Sequence, residues 1–526
     1  MRPHLVRALA LPALVMATVA CGRDLRPDVR SAIEAELRAP SVPRAVHADV
    51  QAFYDARDGA PAWLGRRAPS SRAAAGIRVL ALAGDHGFDP EDYRRSELDR
   101  TRGRLREDDD GDDQTRGREL ARFDIALSAA LLALGRDVAL EPPARGNVEG
   151  EGRGTTDLAA SLARALDDDL LAWLDAVRPS HPEYAALQRA LGELRAELGE
   201  AGWPRVEART LEPGDHGPGV ESLRARLAAS GDLAASLAAG TAYDDEVRDA
   251  VAAFQERHGL AVDGVAGSDT IAALNVPLVA RMRQMATNLA RWRSLPDDLG
   301  SPHILVNIPA FELAVREDGR DALTMRVIVG APHTPTPMFA DRIETVVFSP
   351  FWHIPESIAL GETAPKAAAD ADYLRRQRID VLRTGQGAPE RIDPADVNWD
   401  DPEEVRNLAL RQRPGPGNAL GHVKFLFPNR YSVYLHDTPD DALFERSRRA
   451  LSHGCVRVAE PQALAEFVLR DDPAWTGERI AEAMTAGTAQ HVAVPTAVPV
   501  YLMYFTARVG PDGRLAYLPD VYGFDR

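Results

Sequence analysis

The sequence predicts a multidomain α+β protein in which helical segments precede a mainly β C-terminal domain. The chain has 526 residues, more than a single hydrophobic core normally organises, so about three domains are expected. Apolar residues recur at three- and four-residue spacing up to residue 200, which is typical of amphipathic helices. From residue 302 the pattern changes to Val-, Ile- and Phe-rich runs separated by Gly and Pro, which indicate β-strands.

The composition is that of an ordinary globular protein, with 45% apolar and 27% charged residues. The formal net charge is −17. This charge argues against nucleic acid as a partner, because phosphate binding requires clustered Lys and Arg. We expect no cofactor and no bound metal.

The first residues are typical of an export signal. Arg2 and Arg7 precede an apolar run over 8–20, which is too short to span a bilayer comfortably. The stretch Thr18-Val19-Ala20-Cys21 resembles a bacterial lipobox, so residues 1–21 are interpreted as a lipoprotein signal peptide with Cys21 as the lipidated residue. The alternative is an ordinary cleaved signal peptide in which Cys21 is incidental. Gly22 after the cysteine is compatible with sorting to an outer membrane.

Residues 22–210 are predicted to form a helical scaffold domain. Segments 31–38, 119–135 and 182–199 carry the clearest helical spacing. The acidic run 106–114 is interpreted as a solvated loop rather than a metal site, because nothing in the sequence supplies a fixed scaffold for its carboxylates.

Residues 211–276 form a second predicted unit. Val247, Ala250, Val251 and Phe254 lie on one helical face, and Gly259 ends that helix. Turn residues and a capping Ser-Asp-Thr follow over 263–270. This stretch resembles the small three-helix peptidoglycan-binding domain of bacterial wall enzymes; a plain helical spacer is the alternative. Residues 277–301 are predicted to be a helical linker.

The C-terminal unit, 302–526, is predicted to be mainly β with short helices. A hairpin is expected around 511–513, where Pro-Asp-Gly interrupts two apolar runs. The polar, Ala- and Asp-rich stretch 356–413 interrupts the strands and is interpreted as an inserted lid or capping subdomain. Residues 414–417, with alternating Pro and Gly, are its candidate return hinge.

A cysteine between Gly454 and Val456, with two histidines nearby, is the main chemical signal of the chain. The thiolate of Cys455 is the reactive form, and a neighbouring imidazole both lowers the thiol pKa and accepts its proton. Gly454 permits a sharp turn, and the amides of Gly454 and Cys455 are candidate donors to an oxyanion. His436 and His453 compete for the role of base.

The block His436 to Arg457, with Ser-His-Gly-Cys-Val-Arg at 452–457, resembles the signature of bacterial L,D-transpeptidases. Stretches 414–439, 447–458 and 500–525 resemble the large multidomain branch of that family. The resemblance implies that Cys455 attacks the third residue of a tetrapeptide stem of peptidoglycan and releases D-alanine. The side-chain amine of a second stem then attacks the thioester and forms a 3→3 cross-link. Susceptibility of the thiol to carbapenems is also implied.

The resemblance implies that His436 is the base, and the carbonyl of Asp437 is a candidate to orient its ring. His453 then lies beside the site or in the oxyanion region. Ser452 has two readings: a hydrogen-bonding partner there, or a turn or capping serine.

Three further residues are predicted to contact substrate. Arg457 suits the carboxylates of stem peptides, because Arg binds carboxylates bidentately; a surface salt bridge is the alternative. Tyr434 and Trp352 are candidates to line the cleft, and core packing is the alternative for both.

Three alternative hypotheses fit parts of the sequence. His436, His453 and Cys455 could in principle bind zinc, but neither a second cysteine nor a spaced HxxxH pattern accompanies them. A thiol hydrolase, in effect an L,D-carboxypeptidase, would use water as acceptor. A non-catalytic wall-binding lipoprotein would use only the peptidoglycan module. The expected partners are peptidoglycan stems and glycan, a membrane through the anchor, and wall-synthesis proteins. The expected location is the periplasmic side of the cell envelope, and the expected process is cell wall biogenesis.

Overall fold

The computed structural model describes residues 23–38, 44–107, 112–139, 157–197, 202–383, 389–510 and 512–525. The predicted signal peptide and its Cys21 lie outside the described residues. The chain divides into two compact units, the first within 1–83, 89–136 and 157–177 and the second within 84–88, 137–156 and 178–526. Within the described ranges, no helix has the length and apolar character needed to cross a membrane.

The first unit is helical. Its helices are α1 (Arg26–Leu37), α2 (His47–Asp55), α3 (Ser71–Ala81), α4 (Arg95–Glu107), α5 (Asp113–Ala139), α6 (Leu158–Ala165) and α7 (Leu170–Val177). Each helix buries one apolar stripe; on α1 this stripe is Val29, Ile33 and Leu37. Asp157 caps α6 by accepting a hydrogen bond from the Ala160 amide.

A buried polar cluster holds the segment after α2 against α5. The Asp124 carboxylate accepts hydrogen bonds from the Tyr54 hydroxyl (2.6 Å), the Ala62 amide (3.0 Å) and the Trp63 amide (2.8 Å). The indole of Trp63 donates to Ser128 (2.9 Å). Burial raises the pKa of Asp124 to about 6, although its three donors act in the opposite direction.

The second unit begins with helices α8 (Pro182–Glu197), α9 (Pro218–Ala229), α10 (Asp245–Arg257), α11 (Ser268–Leu274) and α12 (Leu278–Arg293). Helices α9 to α11 surround one core, which buries the predicted face Val247, Ala250, Val251 and Phe254. The side-chain oxygen of Gln255 accepts from the amides of the turn after α10, at Asp263 (3.1 Å) and Gly264 (2.9 Å). The small domain therefore combines a helical stripe with one buried amide that fixes its turn.

The strands of the second unit are β1 (His303–Asn307), β2 (Glu312–Glu317), β3 (Arg320–Gly330), β4 (Phe339–Phe348), β5 (Trp352–His353), β6 (Ile379–Arg383), β7 (Glu390–Ile392), β8 (Leu408–Gln412), β9 (Val423–Leu426), β10 (Leu435–His436), β11 (Ala450–Ser452), β12 (Val456–Val458), β13 (Gln490–Met503), β14 (Ala507–Val509) and β15 (Leu515–Tyr517). Nine of them form one sheet in the order β11-β3-β12-β10-β9-β4-β13-β1-β2, which closes on itself because β2 also pairs with β3. Pairs β1–β13, β10–β12 and β11–β3 are parallel.

The chain between β4 and β9 forms a separate layer. It contains α13 (Glu356–Ile358), a π-helical turn (Ala359–Thr363), α14 (Ala364–Ala369), α15 (Tyr373–Arg376), α16 (Pro402–Arg406) and a four-stranded sheet in the order β5-β8-β6-β7. This layer, here named the capping insertion (352–412), has its own apolar core that includes Leu374, Val381 and Leu410. Its sheet includes Trp352, four positions ahead of the predicted start at 356.

Helices α17 (Pro461–Leu469) and α18 (Gly477–Thr485) cover one side of the nine-stranded sheet. Their apolar residues Leu464, Val468 and Ile480 share the main β core. The predicted hairpin is confirmed as the antiparallel pair β14–β15, with Pro511 of its turn outside the described residues. The predicted fold class is also confirmed: a helical N-terminal region, a small helical domain and a mainly β C-terminal domain that carries an insertion.

Candidate active site

The cysteine lies in a turn that crosses the end of β3. Strands β11 and β12 flank β3 on its two sides, so the chain over 453–455 passes Gly330 at the strand end. The Thr336 hydroxyl donates to the Gly454 carbonyl (2.8 Å) and accepts from the Gly330 amide (2.9 Å). A Cβ at Gly330 would come within 2.1 Å of the Thr334 carbonyl oxygen, and Gly454 has φ +114. Glycine is therefore required at both positions.

The register of β10 against β12 brings four site residues together. Leu435 pairs with Val456 and His436 with Arg457, so Tyr434 lies opposite Cys455. Because side chains alternate along a strand, Tyr434, His436, Cys455 and Arg457 share one face. The rings of Tyr434 and His436 are 5.7 Å apart, and the Cys455 sulfur lies 3.8 Å from the Ser432 carbonyl oxygen. Strand geometry places the Cα atoms of His436 and Cys455 about 8 Å apart, within reach of their side chains.

The imidazole of His436 is buried and oriented by its neighbour. Its Nδ1 lies 2.5 Å from the Asp437 carbonyl oxygen, and the residue is 5% exposed. A ring nitrogen facing a carbonyl must be the protonated one, which leaves Nε2 as the acceptor. Burial, together with the positive charges of Arg457 and Lys424, lowers the pKa of His436 to about 3. The ring is therefore neutral at neutral pH and able to accept a proton.

The side chain of Asp437 links the backbone that follows His436 to the loop before β9. Its carboxylate accepts from the His422 amide (2.7 Å) and from the Thr438 amide (2.7 Å). Gly421 has φ +58, and a Cβ there would collide with that carboxylate. The Asp437 side chain thus fixes the position of its own backbone, and the Asp437 carbonyl in turn orients the His436 ring.

The thiol of Cys455 differs from the sequence-based expectation of a lowered pKa. Burial raises its pKa, whereas hydrogen bonding with Tyr434 and the charges of Arg457 and Lys424 lower it, and burial prevails. Since the imidazole is neutral and the thiol pKa is raised, the resting pair is a neutral thiol and a neutral imidazole. The expectation was wrong because it counted the imidazole and left out desolvation.

Lys424 is a site residue that the sequence reasoning missed. It pairs with His436 across β9 and β10, and its ammonium lies 5.5 Å from the centre of the Tyr434 ring. Burial lowers the pKa of Lys424, and the Cys455 thiolate acts in the opposite direction. A signal existed in the composition: of the 62 Lys and Arg residues only two are lysines, Lys366 and Lys424. Arginine is the usual cation of this chain, so a lysine within an apolar strand is unusual. Its compact ammonium indicates a position where the larger guanidinium group of arginine would not serve.

The structure separates the two candidate bases. Nε2 of His453 lies 2.8 Å from a carboxylate oxygen of Glu362 in the π-helical turn of the capping insertion, and the His453 side chain is 47% exposed. Its ring therefore faces the capping insertion, whereas His436 shares the face of the thiol.

The prediction for Gly454 needs a correction. Its amide donates to the Ser452 hydroxyl (3.1 Å), which in turn donates to the Cys455 carbonyl (2.5 Å). This amide is occupied by the turn itself and is not available to an oxyanion. Among the described residues, the Cys455 amide donates to no acceptor. Of the two amides predicted to stabilise an oxyanion, only that of Cys455 therefore remains a candidate.

Arg457 lies in the site with part of its guanidinium unused. Its Nη1 is 3.5 Å from the Thr438 hydroxyl and 3.6 Å from Asp440, and its side chain is only 20% exposed. Its Nε is buried and has no hydrogen-bond partner among the described residues. A buried donor of this kind is costly unless a ligand satisfies it.

Trp352 is placed in β5, where it packs against the core of the capping insertion. Burial lowers the pKa of the adjacent His353, and the charges of Lys424 and Arg411 lower it further.

The described ranges contain no group of three or more His, Cys, Asp or Glu side chains arranged to hold a metal ion. Cys21 lies outside those ranges.

A partly buried thiol beside a neutral, carbonyl-oriented imidazole is the arrangement that acyl transfer by a nucleophile and a base requires. The family model described as "L,D-transpeptidase catalytic domain" matches residues 301–480. The model described as "Putative peptidoglycan binding domain" matches 216–274, and a "Scaffold domain" model matches 48–191. The chain therefore carries an L,D-transpeptidase catalytic domain together with a peptidoglycan-binding domain.

A Haemophilus influenzae protein named "Putative L,D-transpeptidase" is 35% identical over 244 residues, which make up 46% of this chain and 48% of that protein. The chain thus spans about half the length of this curated relative. Solved L,D-transpeptidases from Xylanimonas cellulosilytica (17% identity, 56% of this chain, 98% of that chain, TM-score 0.18) and Stackebrandtia nassauensis (16% identity, 57%, 96%, TM-score 0.21) also match. At these TM-scores the structural likeness adds no argument.

Proposed function

We propose that this protein is a peptidoglycan L,D-transpeptidase that forms 3→3 cross-links through a thioester on Cys455. The observation that carries the proposal is the shared face of Cys455 and His436 inside the domain that matches the L,D-transpeptidase family. The matched peptidoglycan-binding domain supports peptidoglycan as the substrate. Both matched domains favour a location in the cell envelope.

In the first half-reaction, Nε2 of His436 takes the thiol proton while the Cys455 sulfur attacks the carbonyl of the third stem residue. The Cys455 amide donates to the oxyanion of the tetrahedral intermediate. When the bond to D-alanine breaks, the imidazolium returns its proton to the departing amine, and a thioester remains. Burial, together with the charges of Arg457 and Lys424, makes this imidazolium a strong acid, because all three lower the His436 pKa.

In the second half-reaction, the side-chain amine of another stem attacks the thioester carbonyl. His436 accepts a proton from that amine and delivers it to the leaving thiolate. The amide bond that forms is the 3→3 cross-link, and the enzyme regains its thiol. The same positive charges favour the thiolate and the oxyanion in both steps, because opposite charges within ~4–6 Å stabilise one another in a buried site.

Substrate binding is assigned to the unused donor of Arg457, which suits a stem carboxylate. Tyr434 lines the same face. We further propose that the capping insertion controls access to the thiol, because it contacts the catalytic turn through Glu362 and His453. We also propose that Cys21 is lipidated and holds the protein at the periplasmic side of a membrane.

Intact-mass analysis of the protein lacking residues 1–21, incubated with a purified disaccharide tetrapeptide, tests the proposal. We expect an acyl adduct on the wild type, none on Cys455→Ala, and a cross-linked dimer after addition of a second stem. An adduct that resolves only to tripeptide would make the protein a carboxypeptidase. Absence of any adduct, while Cys455 remains alkylatable, would overturn the assignment.

The two histidines provide a matched pair of variants for the same assay. We expect His436→Gln to lose adduct formation and His453→Gln to retain it, because only His436 shares the face of the thiol. The opposite pattern would assign the base to His453.

A further inference from the structure

A cleft of about 710 Å³ lies between the small helical domain and the catalytic domain. One wall is the turn after α10 together with α11, a second is α12, and the third is formed by the segment before β11 and the segment after β15. The floor is mainly apolar, with Ala273, Val276, Leu518 and Pro519 among its residues. The cleft is outside the face that carries Cys455 and belongs to no site described above.

Hydrogen bonds join the walls of this cleft to one another. The amide of Gln284 on α12 donates to the carbonyls of Thr506 (3.0 Å) and Leu518 (3.2 Å). Arg257, the last residue of α10, donates to the carbonyl of Leu515 on β15. Because these bonds join the small domain, the linker helix and the catalytic domain, the cleft is formed before any ligand binds.

Most charged groups that line the cleft are engaged within the protein. Asp520 accepts from the Tyr504 hydroxyl (2.7 Å), and Asp525 pairs with Arg291 (2.7 Å). Arg281 donates to Gln284 (2.9 Å) and to the carbonyl of Ala273 (2.9 Å). At the rim, Asp269 accepts only a long hydrogen bond from Ser268 (3.5 Å).

Two arginines are the exception. Arg283 on α12 and Arg448 before β11 are both exposed and line the cleft from different walls. Within the described structure neither side chain forms a hydrogen bond or an ion pair. A chain with a formal net charge of −17 has many carboxylates with which to pair its arginines. Two unpaired guanidinium groups in one preformed cleft therefore favour an anionic ligand.

We propose that this cleft is a second, non-catalytic subsite that binds a stem peptide of a peptidoglycan strand through its carboxylates. The inference rests on the proposed function. Arg283 and Arg448 bind the carboxylates, and the apolar floor receives alanine methyl groups of the stem. One wall belongs to the domain that matches a peptidoglycan-binding family, which favours this ligand over other carboxylates.

The position of Arg448 connects this subsite to the reaction. Arg448 precedes Cys455 by seven residues, so the two Cα atoms are at most ~25 Å apart even for an extended chain. A strand held in the cleft by one stem therefore keeps its neighbouring stems near the thiol. The subsite raises the local concentration of substrate without taking part in catalysis.

Sedimentation with purified sacculi tests the proposal. The full chain carries Cys455→Ala, so that binding is measured without turnover. In that background we expect Arg283→Glu and Arg448→Glu each to weaken binding about tenfold, and the double variant to weaken it further, because each loses a charged hydrogen bond. Arg342→Glu is the matched control, since Arg342 is an exposed arginine of β4 outside the cleft, and we expect it to bind like the parent.

Sacculi whose carboxylates have been converted to amides provide the second arm. We expect the parent and the double variant to bind these amidated sacculi equally, because the carboxylates that Arg283 and Arg448 would bind are gone. Equal binding of the parent and the double variant to untreated sacculi, or a difference between them that persists on amidated sacculi, would overturn the proposal. The acyl-adduct assay uses the wild type and a soluble stem, so a failure of the transpeptidase assignment is separate from a failure of the cleft.

Discussion

Two buried polar clusters of this protein differ in how completely their hydrogen-bonding groups are used. In the helical unit, the carboxylate of Asp124 receives three donors, and its donor Trp63 also satisfies Ser128. In the catalytic domain, Nε of Arg457 is buried without a partner, and the Cys455 amide has no acceptor among the described residues. Both clusters shift the pKa values of their members through burial.

The difference separates a structural cluster from a chemical one. A buried polar group that is fully paired contributes to a unique fold, whereas an unpaired one costs about 1–3 kcal/mol until a ligand completes it. The Asp124 cluster is therefore expected to affect stability alone. Substitutions in the Cys455 cluster are expected to affect reactivity more than stability at neutral pH.

Cys455→Ala is the change with the largest expected effect. Removing the proposed nucleophile should abolish acyl-adduct formation. The thermal unfolding midpoint should stay within about 3 °C of the wild type, because a small, partly buried side chain is lost and no charge is left unpaired. Intact mass and a thermal melt measure the two quantities. A large drop in the melting midpoint would show that the thiol is needed for the fold.

His436→Gln is next. Loss of a general base costs about 10²–10⁴ in rate, and the amide of Gln can still bond to the Asp437 carbonyl. We expect acylation by the soluble stem to fall by that factor in a single-turnover assay. A change smaller than threefold would remove His436 from the role of base.

Asp124→Ala tests the other side of the comparison. The substitution strands three buried donors, so the helical unit should lose about 3–5 kcal/mol of unfolding free energy. Chemical denaturation followed by the fluorescence of Trp63 and its neighbours measures this loss. Tyr54→Phe removes one donor and leaves the carboxylate otherwise bonded, and should cost about 1 kcal/mol; equal losses would contradict the assigned network.

Lys424→Met should reduce acylation about tenfold. Without this cation the thiol pKa rises further, so the pH profile of Cys455 alkylation moves to higher pH. Lys424→Arg keeps the charge and should recover most of the profile. An unchanged alkylation profile in Lys424→Met would mean that the ammonium does not act on the thiol.

The last contrast is an opposite pH dependence of stability in the two clusters. The folded-state pKa of His436 is about 3, below the ordinary value of 6.5 for histidine. Its contribution to stability is therefore present above pH 6.5 and is lost as the pH falls, by up to ~1.4 kcal/mol per pH unit. The folded-state pKa of Asp124 is about 6, above the ordinary value of 3.8 for aspartate. Its contribution to stability is therefore present below pH 3.8 and is lost as the pH rises through 6.

Hydrogen exchange between pH 4 and 6.5 measures this contrast at two places. Corrected for intrinsic rates, protection of the backbone around β10 should fall with acidification, and protection around Ala62 and Trp63 should not. Asp124→Asn and His436→Asn should each remove the pH dependence of their own cluster. Parallel behaviour of the two regions would contradict the assigned pKa shifts.

Local sequence patterns were sufficient for much of the fold. The face of α10 was predicted because helical periodicity is set by residues within four positions of one another, and the β14–β15 hairpin because its turn chemistry is local. The Cys455 turn was found because its glycine and cysteine are adjacent. Lys424 was missed because its relation to Cys455 exists only through the pairing of β9 with β10 and of β10 with β12.

By itself, the sequence determined the secondary-structure class of each region, the candidate thiol Cys455 and the two histidines, His436 and His453, that are candidates for its base. Only the tertiary structure placed His436, and not His453, on the face of the thiol. It also directed the Gly454 amide towards Ser452 and left Nε of Arg457 without a partner among the described residues. The physical reason is that burial and hydrogen-bond satisfaction depend on which strands become neighbours. That neighbourhood sets the charge state of the thiol and the imidazole, and no spacing along the chain encodes it directly.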